Sequence, residues 1–330
     1  MGVCTCVSRA ALWPPPPRSP PSRSRYHSAP VPPRPTPRRR ASPPPSRCPV
    51  SASTRRASPR IRGRGTCTSA RSARERSTGR SRDRPPPSPS CPPAPTANGL
   101  RVDGAGHLWV IDSSKGVTVY DVRTRALTAR FDVTGGAPSL VNDLTVAPDG
   151  TVYLTDSLRT VIYRVTPEQL ARGGSGTLTA WADLTDRIHS DTYTLNGIVS
   201  DADGRHLYVV DMGAGDLYRV TTGGVAAVRR VDLHGPPLTN GDGLELRGRT
   251  LWAAQNLDNT LTRWRLNGSG SAARVTRSVT DPALQVPTTL THDGAFGGQL
   301  LVVRSQFDKG GPLGDGTPEE PFTVASVDGI

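Results

Sequence analysis

Residues 140–156, LVNDLTVAPDGTVYLTD, contain the pattern that decides the fold. The polar pair Asn142-Asp143 stands between two short apolar runs, and a Pro-Asp-Gly turn separates the second run from VYLTD. Short apolar runs that alternate with polar residues on either side of a Gly turn are typical of a β-hairpin. The stretch therefore predicts two antiparallel strands, with a polar pair at the start of the first.

The same pattern recurs along the chain. The copies are ANGLRVDGAGHLWVID from Ala97, VNDLTVAPDGTVYLTD from Val141, LNGIVSDADGRHLYVVD from Leu195, GDGLELRGRTLWAAQN from Gly241 and a weaker VPTTLTHDGAFGGQLLVVRS from Val286. The leading polar residues are Asn98, Asn142, Asn196 and Asp242, spaced by 44, 54 and 46 positions. A period of this length indicates an array of repeated supersecondary units.

Each unit continues with further strand-like segments, such as GVTVYDV and ALTARFDV after the first copy. Four short strands in about 45–50 residues, joined by Gly turns, are the unit of a β-propeller blade. The sequence therefore predicts an all-β propeller. One short helix is expected at residues 166–172, TPEQLAR, where a Thr cap precedes a Pro at the first helical position.

The leading polar residues suggest a site. In a propeller the first strand of each blade lines the central channel, so the residue before it lies at the channel mouth. Three Asn and one Asp at equivalent places favour a ring of oxygen atoms around one axis. The alternative is that these residues only begin turns, as Asn and Asp do in many proteins.

At these residues the sequence resembles the regucalcin/gluconolactonase family, also called the senescence marker proteins, over about residues 96–330. NDL with APDGTVYLTD, LNGI with GRHLYVVD, and GDGL with LWAAQN carry the resemblance. It implies a six-bladed propeller and the metal-dependent hydrolysis of a lactone or ester. The family's cation is held by a Glu, two Asn and an Asp.

By motif, the resemblance assigns Asn142, Asn196 and Asp242 as metal ligands, with Asp242 also catalytic as base or nucleophile. Asn98, at the equivalent place in the first copy, is expected to line the channel. Oxygen ligands suit Ca²⁺ or Mg²⁺, with Zn²⁺ or Mn²⁺ as further candidates. The family's Glu has no counterpart, because Glu75 is the one Glu before Asn98 and lies in RSARERSTGR. We therefore expect weak cation binding and impaired activity. Five repeats cannot close a ring of six blades, so we also expect a first blade that is missing or incomplete.

Residues 1–95 differ in composition from the rest. The chain up to Ala97 holds 20 of its 41 basic residues, only two acids, all five Cys and 23 of the 33 Pro. Such a segment buries too little apolar surface to offset chain entropy, so we predict a disordered, basic, low-complexity segment. No nucleic-acid partner is expected, because the arm lacks interleaved aromatic residues. No apolar run reaches the ~20 residues of a membrane span.

This segment is also a candidate for out-of-frame translation. Codons rich in G and C that fit residues 54–80 can be read two nucleotides later as a propeller repeat that opens with Pro-Glu-Gly. Residues 18–33 can likewise give an apolar signal-peptide core. The ancestor is then expected to be secreted, although the chain as written begins with no usable signal peptide.

The function expected from the sequence is that of a divalent-metal-dependent lactonase acting on a small-molecule lactone or ester. The alternative is a non-catalytic propeller that serves as a binding scaffold, since one fold hosts many functions. The sequence does not indicate an oligomeric state.

Overall fold

The computed structural model describes residues 97–188, 193–292 and 298–330. The predicted disordered segment, residues 1–95, lies outside the described residues. The first strands in chain order are β1 (Ala97–Val102), β2 (His107–Asp112), β3 (Gly116–Asp121), β4 (Leu127–Asp132), β5 (Val141–Val146), β6 (Val152–Asp156), β7 (Val161–Val165), β8 (Gly174–Thr177), β9 (Thr179–Asp183), β10 (Leu195–Ser200), β11 (His206–Asp211) and β12 (Asp216–Thr221). The remaining strands are β13 (Val228–Arg230), β14 (Asp232–His234), β15 (Gly241–Arg247), β16 (Thr250–Gln255), β17 (Thr260–Leu266), β18 (Ala272–Thr280), β19 (Pro287–His292), β20 (Leu300–Arg304), β21 (Lys309–Gly311), β22 (Gly314–Asp315) and β23 (Val324–Val327).

In the part of the chain that the structure describes, five antiparallel sheets form the blades of a β-propeller, which confirms the predicted all-β class. Blade 1 contains β1 to β4, blade 2 contains β5, β6, β7 and β9, and blade 3 contains β10 to β13. Blade 4 contains β15 to β18, and blade 5 contains β19, β20 and β23. Two short strands join a neighbouring blade in parallel, β8 beside β4 and β14 beside β18. Strands β21 and β22 form a separate ribbon.

One α-helix, α1 (Pro167–Arg172), connects β7 to β8, as the sequence predicts. The Thr166 side chain accepts a hydrogen bond from the Gln169 backbone, and the Gln169 side chain accepts one from the Thr166 backbone. This capping box satisfies helix-end donors that would otherwise lack partners. A 3₁₀ turn at Pro282–Leu284, capped by Asp281, is a further short helix that the sequence pattern did not predict.

Apolar side chains fill the spaces between successive blades. One buried cluster joins blades 1 and 2 around Trp109, and the next joins blades 2 and 3 around Ile198. A third joins blades 3 and 4 around Trp264, and a fourth joins blades 4 and 5 around Leu290. Full burial of one such side chain contributes about 1.5–3 kcal/mol, so these clusters are the main force that holds the blades in order.

The two end blades carry most of the exposed apolar surface. Nine large apolar side chains of the described residues are exposed, and six belong to blade 1 or blade 5 and their loops. These six are Val102, Val122, Leu127, Leu313, Phe322 and Val324. Strand β1 is also more exposed than β5, β10 or β15. The outer faces of the end blades are therefore less covered than the faces between blades.

Every inner strand has the same irregularity near its start. The pairing of β1 with β2 passes from Ala97 directly to Leu100, and that of β5 with β6 passes from Val141 to Leu144. Strands β10, β15 and β19 skip two residues in the same way. The skipped pairs are Asn98-Gly99, Asn142-Asp143, Asn196-Gly197, Asp242-Gly243 and Thr288-Thr289. This bulge removes each pair from the ladder, which frees its first side chain for other contacts.

Among the residues that the structure describes, no helix is long and apolar enough to cross a membrane.

Candidate functional site

The four residues that the repeats single out occupy one equivalent position. Asn98, Asn142, Asn196 and Asp242 are each the first residue of the skipped pair in their inner strand. Thr288 takes this position in blade 5. The inner strands of neighbouring blades contact one another from β1 through β5, β10 and β15 to β19. The structure thus brings the equivalent positions onto adjacent strands.

A second set of residues touches this first set. Ser157, Met212 and Asn256 each follow the last residue of the second strand of their blade. Each donates its backbone N–H, at 2.9 Å, to the carbonyl two residues before the blade's leading residue. Their side chains contact Asn142, Asn196 and Asp242 respectively. The repeat therefore fixes a partner position for the leading residues of blades 2, 3 and 4.

Asn142 is held from two sides. Its Nδ2 donates to Ser157 Oγ at 2.9 Å, and its Oδ1 accepts from Asn98 Nδ2 at 3.2 Å. The Asn98 nitrogen also lies 3.3 Å from the Asn142 carbonyl oxygen. The side chain of Asn98 is exposed, whereas that of Asn142 is partly buried.

Asn196 carries an acceptor without a partner. The residue is 3% exposed, its Nδ2 donates to Met212 Sδ at 3.3 Å, and its Oδ1 is buried and accepts no hydrogen bond. A buried acceptor without a donor costs about 1–3 kcal/mol. An amide oxygen in this state is suited to coordinate a cation.

Asp242 is the acid of the set. Its Oδ2 accepts a hydrogen bond from Asn256 Nδ2 at 2.9 Å. Desolvation raises the pKa of Asp242 to about 8, the Asn256 hydrogen bond lowers it, and the charge of Asp143 raises it further. In the absence of a cation, this carboxyl group is therefore largely protonated at neutral pH.

Asp143 is a functional candidate that the motif comparison missed. Its carboxylate accepts the backbone N–H of Leu144 at 2.8 Å and that of Ile198, on the next blade, at 3.1 Å. Desolvation raises the pKa of Asp143, while the charge of Arg101 and the two backbone hydrogen bonds lower it. The signal was present in the sequence, because the aligned repeats have Gly99, Gly197 and Gly243 at this position.

Those glycines mark close contacts between backbones. A methyl group on Gly197 would collide with the Asp242 carbonyl oxygen, and one on Gly243 would lie 2.7 Å from the Thr289 Cα. Blade 2 has Asp143 at this place, so a carboxylate spans the distance to the next inner strand. Asp143 therefore links β5 to β10 and also adds negative charge near Asp242.

The donor set fits a hard cation only in part. Asn142 Oδ1, Asn196 Oδ1 and the Asp242 carboxylate are oxygen ligands of the kind that Ca²⁺ and Mg²⁺ prefer. Within the described ranges, no group of three or more His, Cys, Asp or Glu is placed to hold a metal ion. Glu245 is the one Glu on the inner strands, and its carboxylate is occupied by the His292 backbone and ring and by Arg247.

Two other histidines have structural roles in turns. His107 Nδ1 lies 2.9 Å from Asp103 Oδ2, and His206 Nδ1 lies 2.9 Å from Asp201 Oδ2. The two pairs occupy equivalent turns of blades 1 and 3, and Trp109 also donates to Asp103. Neither histidine is a candidate ligand.

Comparison with known protein families shows which family the chain belongs to. Residues 72–305 match the SMP-30/gluconolactonase/LRE-like region. The chain belongs to this family. The match includes all four leading residues, and it confirms the resemblance that the NDL, LNGI and GDGL motifs indicate. A comparison with curated protein sequences finds no match.

Solved structures with a similar fold include two of virginiamycin B lyase from Staphylococcus aureus. One is a catalytically inactive form with quinupristin, at 18% identity and a TM-score of 0.47, with 64% of each chain covered. A candidate gluconolactonase is similar at 18% identity and a TM-score of 0.46, with 62% of this chain and 70% of the other covered. The chain thus spans 64% of the length of the lyase.

Proposed function

We propose that this chain derives from a divalent-cation-dependent hydrolase of small lactones or esters, built on a propeller of the six-bladed type. The observation that carries the proposal is the unpartnered buried Oδ1 of Asn196, between the equivalent residues Asn142 and Asp242 on the neighbouring inner strands. Membership of the SMP-30/gluconolactonase family supports the same reaction class.

Asn142, Asn196 and Asp242 would hold the cation, with Ca²⁺ or Mg²⁺ the preferred ions and Zn²⁺ or Mn²⁺ further candidates. A bound divalent cation would polarise the substrate carbonyl and stabilise the developing oxyanion. Asp242 would act as general base and take a proton from the attacking water. Asn256, which donates to Asp242 Oδ2, would hold the carboxylate in one orientation for this step.

The site in this sequence is expected to bind a cation weakly. The pKa of about 8 for Asp242 means that at neutral pH a cation must first displace a proton from this carboxyl group. The amide oxygens of Asn142 and Asn196 add no charge, and the family's Glu has no counterpart in the sequence. We therefore expect low cation affinity and low lactonase activity.

The missing Glu and the missing blade have one common explanation in the out-of-frame hypothesis for residues 1–95. A shift of two nucleotides over residues 54–80 would supply both a blade repeat and a Pro-Glu-Gly. The coding DNA tests this proposal directly. If its shifted frame does not encode a strand-like repeat, the hypothesis is wrong.

A non-catalytic binding scaffold is the second candidate. It is favoured by the hydrogen bond from Asn98 to Asn142 Oδ1, which already occupies one of the three ligand atoms. A scaffold would bind a small molecule at the channel mouth without turnover.

Hydrolysis assays separate the two candidates. The full chain is tested with an aromatic lactone and a sugar lactone, with and without Ca²⁺, Mg²⁺, Zn²⁺ or Mn²⁺, beside Asp242→Ala. Cation-dependent turnover that Asp242→Ala abolishes supports the hydrolase. Saturable lactone binding without turnover in any of these conditions supports the scaffold instead.

A further inference from the structure

Ser157 and Met212 share one chemical property at their shared repeat position. Both offer an acceptor atom to the side-chain nitrogen of an Asn on the inner strand of the same blade. Ser157 Oγ accepts from Asn142 Nδ2 at 2.9 Å, and Met212 Sδ accepts from Asn196 Nδ2 at 3.3 Å.

The Ser157 hydroxyl can only accept from Asn142. Its single hydrogen is used at 2.5 Å by the carbonyl oxygen of Leu195, which has no proton of its own to give. Ser157 is 1% exposed, so exchange with water does not offer an alternative partner. The nitrogen of the Asn142 amide must therefore face Ser157, and Oδ1 must face away from it.

Met212 also fixes the orientation of its Asn partner. A thioether has an acceptor and no donor, so Met212 favours the Asn196 orientation in which nitrogen faces sulfur. This orientation directs Oδ1 away from the sulfur, and it is the same Oδ1 that has no partner. An Asn amide without such neighbours could flip and present a nitrogen in place of an oxygen.

The third member of the set has the opposite polarity. Asn256 donates to Asp242 Oδ2 at 2.9 Å, which suits a carboxylate that has no hydrogen to give when charged. The partner position thus carries an acceptor where the leading residue is an amide, and a donor where it is an acid.

We propose that Ser157, Met212 and Asn256, one residue from each of blades 2, 3 and 4, form an orienting ring that points the oxygen atoms of Asn142, Asn196 and Asp242 toward a shared ligand. They are positioning residues, and their value to a ligand rests on the proposed function. Partners that orient metal ligands typically account for about 10–100-fold in metal affinity.

Asparagine-selective ¹⁵N NMR of the full chain tests the ring without any cation. The sequence contains seven Asn, so seven side-chain amide pairs are expected. Ser157→Ala should shift the Asn142 amide signals and speed their hydrogen exchange. Met212→Leu, which conserves volume and removes the sulfur, should do so for Asn196. Signals are assigned from their loss in Asn142→Asp and Asn196→Asp.

Ser139→Ala is the matched control. The Ser139 hydroxyl donates at 2.6 Å to Oδ2 of Asp156, the residue before Ser157, and its hydrogen is therefore not shared with Asn142. It should leave the Asn142 and Asn196 amides unchanged. Ser157→Cys, which nearly keeps the side-chain size, replaces Ser157→Ala if that variant does not fold.

A Ca²⁺ titration of the same samples gives the second measurement. If the wild-type chain binds Ca²⁺, Ser157→Ala and Met212→Leu should each weaken binding by about 10-fold or more. In an Asn142→Asp background, Ser157→Ala should have a much smaller effect, because a carboxylate has no nitrogen to misplace. An equal effect in both backgrounds would mean that Ser157 acts only on the fold.

Failure of the orienting ring and failure of the proposed cation-dependent function give different results. Unchanged Asn142 and Asn196 amides in Ser157→Ala and Met212→Leu would overturn the orienting ring, whatever the cation does. If the variants shift these amides as expected but Ca²⁺ leaves the signals of the wild-type chain unchanged, the orienting ring is supported. That result counts against the cation-dependent function.

Discussion

Asn98 donates its side-chain N–H to Asn142 Oδ1 at 3.2 Å, so an exposed residue of blade 1 occupies an acceptor that the proposed cation would need. Ser157 fixes the other side of the same amide. The Asn142 side chain is therefore well oriented and also blocked. A cation must displace the Asn98 nitrogen before it can reach the Asn142 oxygen.

Asn98→Ala should accordingly strengthen cation binding. A neutral hydrogen bond contributes about 0.5–1.5 kcal/mol net, which corresponds to about 2–10-fold in affinity. Calorimetric titration of both chains with Ca²⁺ measures the change. Asn240→Ala is a suitable control, because its exposed amide donates to Asp258 and not to a leading residue. Weaker binding by Asn98→Ala would make Asn98 a ligand and reject the blocking role.

A second prediction concerns Asp242 and pH. Its folded pKa of about 8 lies above the ordinary value of 3.8. Because the pKa of Asp242 is raised in the folded state, the folded chain keeps this proton to higher pH than the unfolded chain. The unfolded state therefore loses the proton first as pH rises. The folded chain should therefore lose stability between about pH 4 and pH 8, by at most about 1.4 kcal/mol per pH unit.

Asp242→Asn removes that titration. We expect its Tm to exceed that of the wild-type chain at pH 8, with a gap that closes toward pH 4, in buffers with a chelator. Asp203→Asn, an exposed acid in a turn of blade 3, controls for net charge. A constant gap from pH 4 to pH 8 would contradict the raised pKa.

The third prediction concerns the contact between blades 3 and 4 at the site. A methyl group on Gly197 would collide with the Asp242 carbonyl oxygen and lie 2.9 Å from the Leu244 nitrogen, so backbone must move. Gly197→Ala should destabilise the chain by about 1–3 kcal/mol or more. Gly104→Ala is the control, since nothing lies within 4 Å of its added methyl group. Equal Tm values for the two variants would show that the strands can separate freely here.

The sequence predicted the blades well because the signal is local and repeated. Strand alternation and Gly turns recur in each blade, and the structure places the inner strands at every copy, including the weak one from Val286. The helix at Pro167–Arg172 was predictable for the same reason, since its cap and its Pro lie within a few residues of each other.

The surroundings of the leading residues were harder to predict, because they depend on strand pairing. Ser157 meets Asn142 only because β6 returns beside β5, fifteen positions later in the chain. Asp143 was passed over as the second half of a turn-like pair, although its carboxylate spans two blades. Whether a pKa is raised depends on burial from several strands at once, which a motif does not encode.

The final prediction concerns the end blades. Val102 and Leu127 on blade 1 are 45% and 55% exposed, and Phe322 and Val324 near blade 5 are 54% and 48% exposed. In a six-bladed ring these two faces would be covered by one further blade. The chain as written should therefore associate with itself as its concentration rises, since exposed apolar faces and strand edges promote such contacts.

Sedimentation velocity at several concentrations measures this association. Replacing Val102 and Leu127 together with Thr and Gln should reduce it with little change in Tm, because both side chains are half exposed. Val225→Thr is the control, since Val225 is 93% exposed on blade 3 and should not matter. A chain whose first 95 residues are translated in the shifted frame should gain a blade and remain monomeric. Equal association of that chain and the chain as written would reject the missing blade, because covering the two faces would then have changed nothing.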